Sequence, residues 1–417
     1  MEKHNLRPFS LLIKPASADC NLRCGYCFYL DRLSLYPESA KHRMDDKTLD
    51  KMVSSFMQTP QEQYSFGWQG GEPTLMGLDF FKRVVELQKK YGRQGAVVSN
   101  GLQTNGILIN TEFAKFLKEY SFLVGTSLDG PEEIHNHFRK FGDGRGTQAE
   151  VMKGIACMKQ EQVEYNILSL VSTANVEHAD TIYSFYRENG FNYLQFIPCV
   201  EFDDANQPLP FTITARQWGE FMCRIFDLWY KHDRRKVSIR LFDSIMVYLV
   251  DGVRNICHIG RNCCQYFVVE HNGDIYPCDF FVRKDLKLGN IHENSWEELQ
   301  NSELYKQFGG QKPQWQNKCQ HCEFLDICSG DCLKHRIYGN ITTPQNLSWL
   351  CEGWEMFFRH TMPRFRKIAA EIKQERQREQ LIRQIRSNPA LINSIPKNSP
   401  CPCGSGKKFR KCCLTLF

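Results

Sequence analysis

"FSLLIKPASADCNLRCGYC", Phe9 to Cys27, places a short apolar run that ends in lysine just before three cysteines, Cys20, Cys24 and Cys27. The run predicts a β-strand over 9–14, so the cysteines occupy the loop at its C-terminal end. A disulfide takes two thiols and a tetrahedral zinc site usually takes four. Three thiolates hold a cubane four-iron cluster by three of its irons and leave the fourth open for a substrate or cofactor. The alternative is a zinc site that borrows a fourth ligand from elsewhere in the chain.

Outward from this stretch, residues 8–200 alternate short β-rich runs with helical ones. Strands are predicted at 9–14, 64–69, 96–102, 122–128, 165–173 and 193–198. Helices are predicted at 47–58, 78–91, 111–119, 148–162, 177–189 and 214–231. Alternation of this kind is α/β, and six strands predict a partial (β/α)6 barrel whose chemistry sits at the C-terminal strand ends. "DCNLRCGYC", "QGGEP" (Gln69–Pro73), "QTNG" (Gln103–Gly106) and "SLDG" (Ser127–Gly130) all fall at such ends.

The bulk properties agree with a globular protein: 417 residues with 42% apolar content can fill a sizeable core. The longest apolar runs, "YSFLVGTSL" and "YNILSLVS", stop far short of the roughly 20 residues of a membrane span, and "MEKHNLRPFSLLIKP" lacks the apolar segment of a signal peptide. The chain is therefore expected in the cytoplasm, where clustered thiols serve as metal ligands more often than as disulfides. A formal charge of +6 is mild for this length and does not require a nucleic-acid partner.

Past residue 231 the composition shifts. Nine of the nineteen cysteines lie from Cys257 to Cys351 with little periodic apolar pattern, so metal centres are expected to hold this region together. The organisation expected is a barrel over 1–231, a cysteine-rich domain over 232–362, a charged helix and turn-rich linker over 363–398, and a small module, "CPCGSGKKFRKCC", within 399–417. Cys157, Cys199 and Cys223 are read as core or barrel-wall residues.

The C-x3-C-x2-C spacing, with Tyr26 before the last cysteine, resembles the radical S-adenosylmethionine (radical SAM) enzymes. In that family the open iron binds the amino and carboxylate groups of S-adenosylmethionine, which one electron cleaves to methionine and a 5′-deoxyadenosyl radical. "GGEP", Gly70–Pro73, resembles the family's motif for the methionyl amino group. The resemblance implies cofactor contacts at Tyr26, Gly71, Glu72, Ser127, Arg139 and Val200, with Arg139 suited to the methionyl carboxylate. Taken alone, Ser127 is equally a turn residue, Arg139 a surface charge and Val200 simple packing.

The second cysteine field runs C-x9-G-x4-C from Cys263 through Gly273 to Cys278, then C-x2-C-x5-C-x3-C from Cys319 to Cys332, then Cys351, with Cys257 as an eighth thiol. This is similar to the SPASM extension of radical SAM proteins. The resemblance implies two auxiliary clusters, one on Cys257, Cys263, Cys278 and Cys332, the other on Cys319, Cys322, Cys328 and Cys351, making three [4Fe–4S] clusters in all. Spacing alone does not say which four share a cluster. Cys264 competes with Cys263, and two structural zinc sites would accept the same thiols.

Within the SPASM group, "CNLRCGYCFYL", "GWQGGEPTLMG", "LQTNG", "VGTSLDGP" with "HNHFR", "LQFIPC", "GDIYPCDFFV" and "LGNI" most resemble the anaerobic sulfatase-maturating enzymes. Such enzymes oxidise a cysteine or serine of a sulfatase to formylglycine (3-oxoalanine). The resemblance implies Asp279 as the base, Tyr29 and Gln69 as its neighbours at the substrate, an unfolded sulfatase polypeptide as partner, and an electron donor such as flavodoxin or ferredoxin. Two alternatives keep parts of this reading: a SPASM maturase that crosslinks a small peptide, and a non-catalytic, metal-stabilised export adaptor.

The tail, C-x-C-x8-C-C, resembles the SEC-C zinc motif, which implies Zn2+ on Cys401, Cys403, Cys412 and Cys413. With the basic helix before it, the tail is expected to bring the enzyme to ribosomes or export factors. A disordered, reactive tail is the alternative.

Overall fold

A computed structural model gives the architecture and describes residues 6–203, 205, 207–336 and 347–416. No helix among the described residues is long and apolar enough to cross a membrane. The chain packs as two compact units, Met1–Leu241 with Ile256–Phe357, and Phe242–Asn255 with Phe358–Phe417.

The first unit is built on one sheet. β1 (Ser10–Lys14), β2 (Gln63–Trp68), β3 (Val97–Thr104), β4 (Leu123–Ser127), β5 (Tyr165–Val171) and β6 (Tyr193–Pro198) lie side by side in sequence order, all parallel, and a short β7 (Ser238–Ile239) follows β6. Right-handed crossovers between parallel strands require intervening helices, and α1 (Asp46–Met57), α2 (Leu78–Tyr91) and α3 (Thr111–Glu119) supply the first three. α1 starts where the Asp45 carboxylate accepts the Thr48 N–H at 2.7 Å. It buries Leu49, Met52, Val53, Phe56 and Met57, a helical stripe in which each large side chain contributes about 1.5–3 kcal/mol.

The sheet does not stop at the barrel. β8 (Tyr266–Glu270) pairs in parallel with β1, from Ser10 opposite Tyr266 to Lys14 opposite Glu270, and β9 (Asp274–Tyr276) and β10 (Gly289–Asn290) extend it to ten strands. The cysteine-rich region thus has a core of its own, contrary to the expectation from its weak pattern. Phe267, Val268 and Val269 are fully buried. A strand covered on both faces shows a continuous apolar run rather than alternation, so periodicity does not reveal it. Phe9 packs on Phe56, Phe267 and Trp296 at 5.1–5.3 Å between ring centroids, fastening the cysteine-rich segment to the barrel's first strand and helix.

A short helix, α4 (Glu132–Phe138), has no counterpart in the expected elements. Its "EEIHNHF" carries almost no apolar stripe. What holds it is polar: the buried His135 accepts the Asp129 N–H at Nδ1 (3.2 Å) and meets the Thr147 hydroxyl with Nε2 (3.0 Å). The helix ends at Arg139 and so delivers that guanidinium to the strand ends.

In the second unit, Phe242 packs on Phe365 at 5.7 Å, on the helix Cys351–Ser387. Leu381 and Ile385 of that helix form a small core with Cys401, Cys403, Phe409 and Cys413.

Candidate active site

A cavity of about 240 Å³ opens at the C-terminal ends of β1 to β6, and Cys20, Cys24 and Cys27 are on its wall. The loop that carries them is tied down at both ends. Asp19 accepts the His42 N–H (2.8 Å), His42 Nδ1 (2.9 Å) and Arg43 Nη1 (2.6 Å), while Gly25 donates to the Phe138 carbonyl at 3.0 Å. Burial, with the Glu72 carboxylate adding to it, pushes the Cys20 thiol up to about 12; burial pushes Cys24 up to about 11 against the pull of Arg139. Thiols held up in this way stay protonated in water near neutral pH and release their protons on coordinating a metal.

"QGGEP" crosses beneath the cysteine loop. Gly71 donates to the Ser17 carbonyl (2.7 Å) and Glu72 to that of Asp19 (2.8 Å). A Cβ on Gly71 would lie 2.1 Å from the Asp19 oxygen, so only glycine allows this approach. Glu72 departs from expectation. Its carboxylate is fully buried, off the cavity wall, and takes hydrogen bonds from the Thr74 N–H and hydroxyl, the Thr104 hydroxyl and the Asn105 N–H. With those four donors it anchors the motif, and no direct contact with a cofactor amino group follows from this geometry.

Arg139, Tyr26 and Ser127 do line the cavity. Arg139 forks onto Asp129 (2.8 and 3.3 Å), which also takes the Tyr26 hydroxyl, and its guanidinium lies over the Tyr26 ring. Two of five guanidinium N–H groups meet Asp129, leaving donors for a ligand carboxylate. Ser127 accepts from Gln103 Nε2 at 3.2 Å. Val200 is buried and off the wall, between Cys199 and Glu201, which are on it.

Asp279 faces the same space from a turn, Asp279–Phe281, of the cysteine-rich segment. One carboxylate oxygen takes the ammonium of Lys14 and the other the Gln69 amide at 3.0 Å. Lys14, 2% exposed, lines the cavity and is absent from the motif reading. The signal was present, since it is the charged residue closing an otherwise apolar strand at the catalytic end of a barrel. Tyr29 lies under the Lys14 ammonium, 4.4 Å from ring centroid to nitrogen, and gives its hydroxyl to Glu270, so it reaches Asp279 through Lys14. Burial and the Glu270 and Asp279 charges hold that phenol well above its ordinary value, keeping it a donor. Phe28 and Phe280, also on the cavity lining, pack with ring centroids 5.0 Å apart and planes tilted by 47°, and Lys334, ion-paired with Glu201, lies over both rings.

Mutual charge effects link the eight further thiols in two sets. The Cys332 thiol is pushed up to about 12 by burial, then by Cys257, with Cys263 adding; Cys278 is raised by burial and then by Cys332. Cys351 goes up to about 11 through burial, with Cys319 and Cys322 adding, and Cys351 in turn adds to the rise at Cys328. The Cys264 thiol donates to the Tyr305 carbonyl at 3.1 Å. In the second unit, the sulfurs of Cys401, Cys403, Cys412 and Cys413 all lie within 4.8 Å of one another. A tetrahedron with Zn–S of about 2.3 Å puts its sulfurs about 3.8 Å apart, and Cys403–Cys412 and Cys412–Cys413 measure 3.6 and 4.0 Å.

Comparison with known proteins agrees with this geometry. The radical SAM superfamily model matches residues 15–185, an iron–sulfur cluster-binding domain matches 257–323, and the SEC-C motif matches 398–415. A serine-type anaerobic sulfatase-maturating enzyme of Bacteroides thetaiotaomicron is 37% identical over 86% of this chain and 90% of its own length. The chain belongs to the anaerobic sulfatase-maturating enzymes. A cysteine-type relative from Clostridium novyi is 36% identical over 87% of the chain and 98% of its own. A solved structure, native anSMEcpe with bound AdoMet and the Cp18Cys peptide, superposes with a TM-score of 0.81 at 36% identity, covering 88% of this chain and all of that one. Membership accounts for the barrel, its strand-end cavity and the thiol-rich extension; the SEC-C match lies beyond the first two matched regions.

Proposed function

We propose that the strand-end cavity receives S-adenosylmethionine and a cysteine or serine of an unfolded sulfatase segment side by side, and that Asp279 removes the thiol or hydroxyl proton as Cβ is oxidised; a serine gives the formylglycine aldehyde directly, and a cysteine gives a thioaldehyde that takes up water and releases hydrogen sulfide to reach the same aldehyde. One observation carries this reading: of the two carboxylates that line the cavity with Cys20, Cys24 and Cys27, Glu201 is taken by Lys334, whereas Asp279 has both oxygens oriented, by Lys14 and Gln69. When bound, the cofactor on those three cysteines supplies the radical that takes a hydrogen atom from Cβ, and clusters on the two thiol groups of the cysteine-rich region receive the departing electron.

The chain's own residues do the rest. Lys14 and Gln69 each occupy one lone pair of an Asp279 oxygen, leaving others for the substrate proton. Such positioned proton transfer is worth about 10²–10⁴-fold in rate. Arg139 meets the cofactor carboxylate with the donors Asp129 leaves free. Gly71 gives the cofactor loop its close approach, and Glu72 holds the motif rigid. Tyr29 keeps Lys14 in place, and Phe28 with Phe280 screens the base from water. Cys263, rather than Cys264, completes the first set with Cys257, Cys278 and Cys332; Cys319, Cys322, Cys328 and Cys351 form the second.

For the tail, the sulfur spacing supports zinc. Burial opposes the Cys403 thiolate, yet hydrogen bonding with Ser405 and Cys401 outweighs it and brings the thiol down to about 6, while burial holds Cys401 and Cys413 up. The tail and the basic helix before it would bring the enzyme to nascent or export-bound sulfatases. Full-length protein should retain ribosomes or export factors that a truncation at Asn388 does not; equal recovery would refute this role.

The test of the reaction uses anaerobically reconstituted enzyme, reductant (dithionite, or flavodoxin or ferredoxin as donor), S-adenosylmethionine and sulfatase-segment peptides. A cysteine peptide should lose about 18 mass units or a serine peptide about 2, in a reaction needing the base. Deoxyadenosine with unchanged peptides would overturn the substrate assignment.

A further inference from the structure

Lys312 is completely buried in the cysteine-rich region. Its ammonium donates to the carbonyl of His258 at 2.9 Å and to that of Asp331, and among the described residues it meets no carboxylate. The Asp331 carboxylate is taken by His335 Nδ1 (2.8 Å) and the Ser348 hydroxyl (2.7 Å). Removing an ammonium from water is unfavourable unless negative charge meets it. The two carbonyls seat the ammonium beside the first thiol group: His258 follows Cys257 and Asp331 precedes Cys332.

A second buried cation stands behind the first. Arg336, 2% exposed, donates to the Lys312 carbonyl at 2.8 Å and to that of Gln314. The two groups are joined nearby by only three residues, Ser329, Gly330 and Asp331, whose φ angles of 51°, 73° and 63° are all left-handed. Two of these are not glycine, and such a backbone persists only where its surroundings enforce it.

We propose that Lys312, backed by Arg336, is the built-in counter-charge of the auxiliary iron–sulfur sites and sets their reduction potentials. The inference rests on the cluster assignment made above. A cubane ligated by four thiolates is anionic and gains a further negative charge on reduction, so a fixed buried cation stabilises the reduced form more and raises the potential. In the oxidation of the substrate, one electron leaves the carbon-centred radical as its proton passes to Asp279. Oxidised clusters on these thiols would supply the one-electron acceptor and would pass the electron on to a one-electron carrier of the flavodoxin or ferredoxin class. Lys312, which does not touch substrate, would favour that transfer as a positioning residue for charge.

The experiment is an anaerobic redox titration followed by electron paramagnetic resonance, with iron and sulfide counts. It uses full-length protein carrying Cys20→Ala, Cys24→Ala and Cys27→Ala, so that only auxiliary clusters report. Lys312→Met should shift the reduction equilibrium at least tenfold toward the oxidised form, about 59 mV for one electron, while Lys312→Arg stays near the parent. Full iron content with an unmoved potential in Lys312→Met overturns the proposal alone; no auxiliary iron in the parent overturns the cluster assignment beneath it. Should Lys312→Met lose its iron, Lys312→Arg decides. Retained clusters at the parent potential support a need for charge, and loss in both variants assigns Lys312 to packing and overturns the proposal.

Discussion

Replacing Gly71 by alanine puts a methyl group where the chain has no room for one. The added Cβ would lie 2.1 Å from the Asp19 carbonyl oxygen and 2.6 Å from the Ala18 carbonyl carbon and oxygen, where ordinary contact starts at 3.4 Å, so about 1.3 Å must be found. Neither neighbour is a side chain that could swing aside. The two strands of the contact are also tied by Gly71 N–H to Ser17 (2.7 Å) and Glu72 N–H to Asp19 (2.8 Å). Overpacking costs about 1–3 kcal/mol and each weakened backbone hydrogen bond about 1 more, so a loss of about 3 kcal/mol in stability is expected. The displaced segment carries Cys20, and a misplacement of about 1 Å at reacting groups costs about 100-fold in rate. The assay is anaerobic deoxyadenosine formation with iron counted in each sample. Gly101→Ala is the control, because its Cβ meets only the Leu123 carbonyl at 3.9 Å. Deoxyadenosine formation by Gly71→Ala within a factor of about three of the parent would refute the reasoning.

Lys14→Met should lower peptide oxidation by about 100-fold while deoxyadenosine still forms, since it disturbs the base and not the cofactor cysteines; equal loss of both products would place Lys14 in the cofactor site instead. His42→Gln tests an ionic contact at the cysteine loop. Burial opposes the His42 charge, but hydrogen bonding to Asp19 outweighs it and raises the imidazole above its ordinary value. That stabilisation is fully present below about pH 6.5 and fades as pH rises through the raised folded value. The variant's stability deficit in denaturant titrations should therefore be largest on the acid side of that range and shrink above it, and a deficit growing with pH would contradict the assignment. Cys263→Ser should lose about four irons per chain and Cys264→Ser none, and iron analysis showing the reverse pattern would exchange the two.

Legibility in the sequence followed the physics of each element. The six barrel strands lie within two residues of the positions their apolar runs predict, because each run is bounded by turn residues and separated by amphipathic helices. β8 was hidden because burial on both faces erases alternation, and α4 because a buried histidine rather than an apolar stripe holds it. Within the site, Gln69 and Gly71 line the cavity as their strand-end motif predicts, and Arg139 and Asp279, named from the family resemblance, line it too. Glu72 and Val200 could not be resolved that way, since whether a motif's carboxylate or a buried valine faces a cavity depends on neighbours distant in the chain, such as Thr104 and Asn105. Lys14 went unread because a lysine ending a strand looks like a solvated charge until Asp279 arrives from 265 residues away.

The most direct measurement of the central claim, that Asp279 is the base, follows a substrate peptide deuterated at the target Cβ in the Asp279→Asn enzyme. Deuterium should still appear in 5′-deoxyadenosine while formylglycine falls by about 100-fold or more. Aldehyde forming in step with deuterium transfer in that variant would contradict the account.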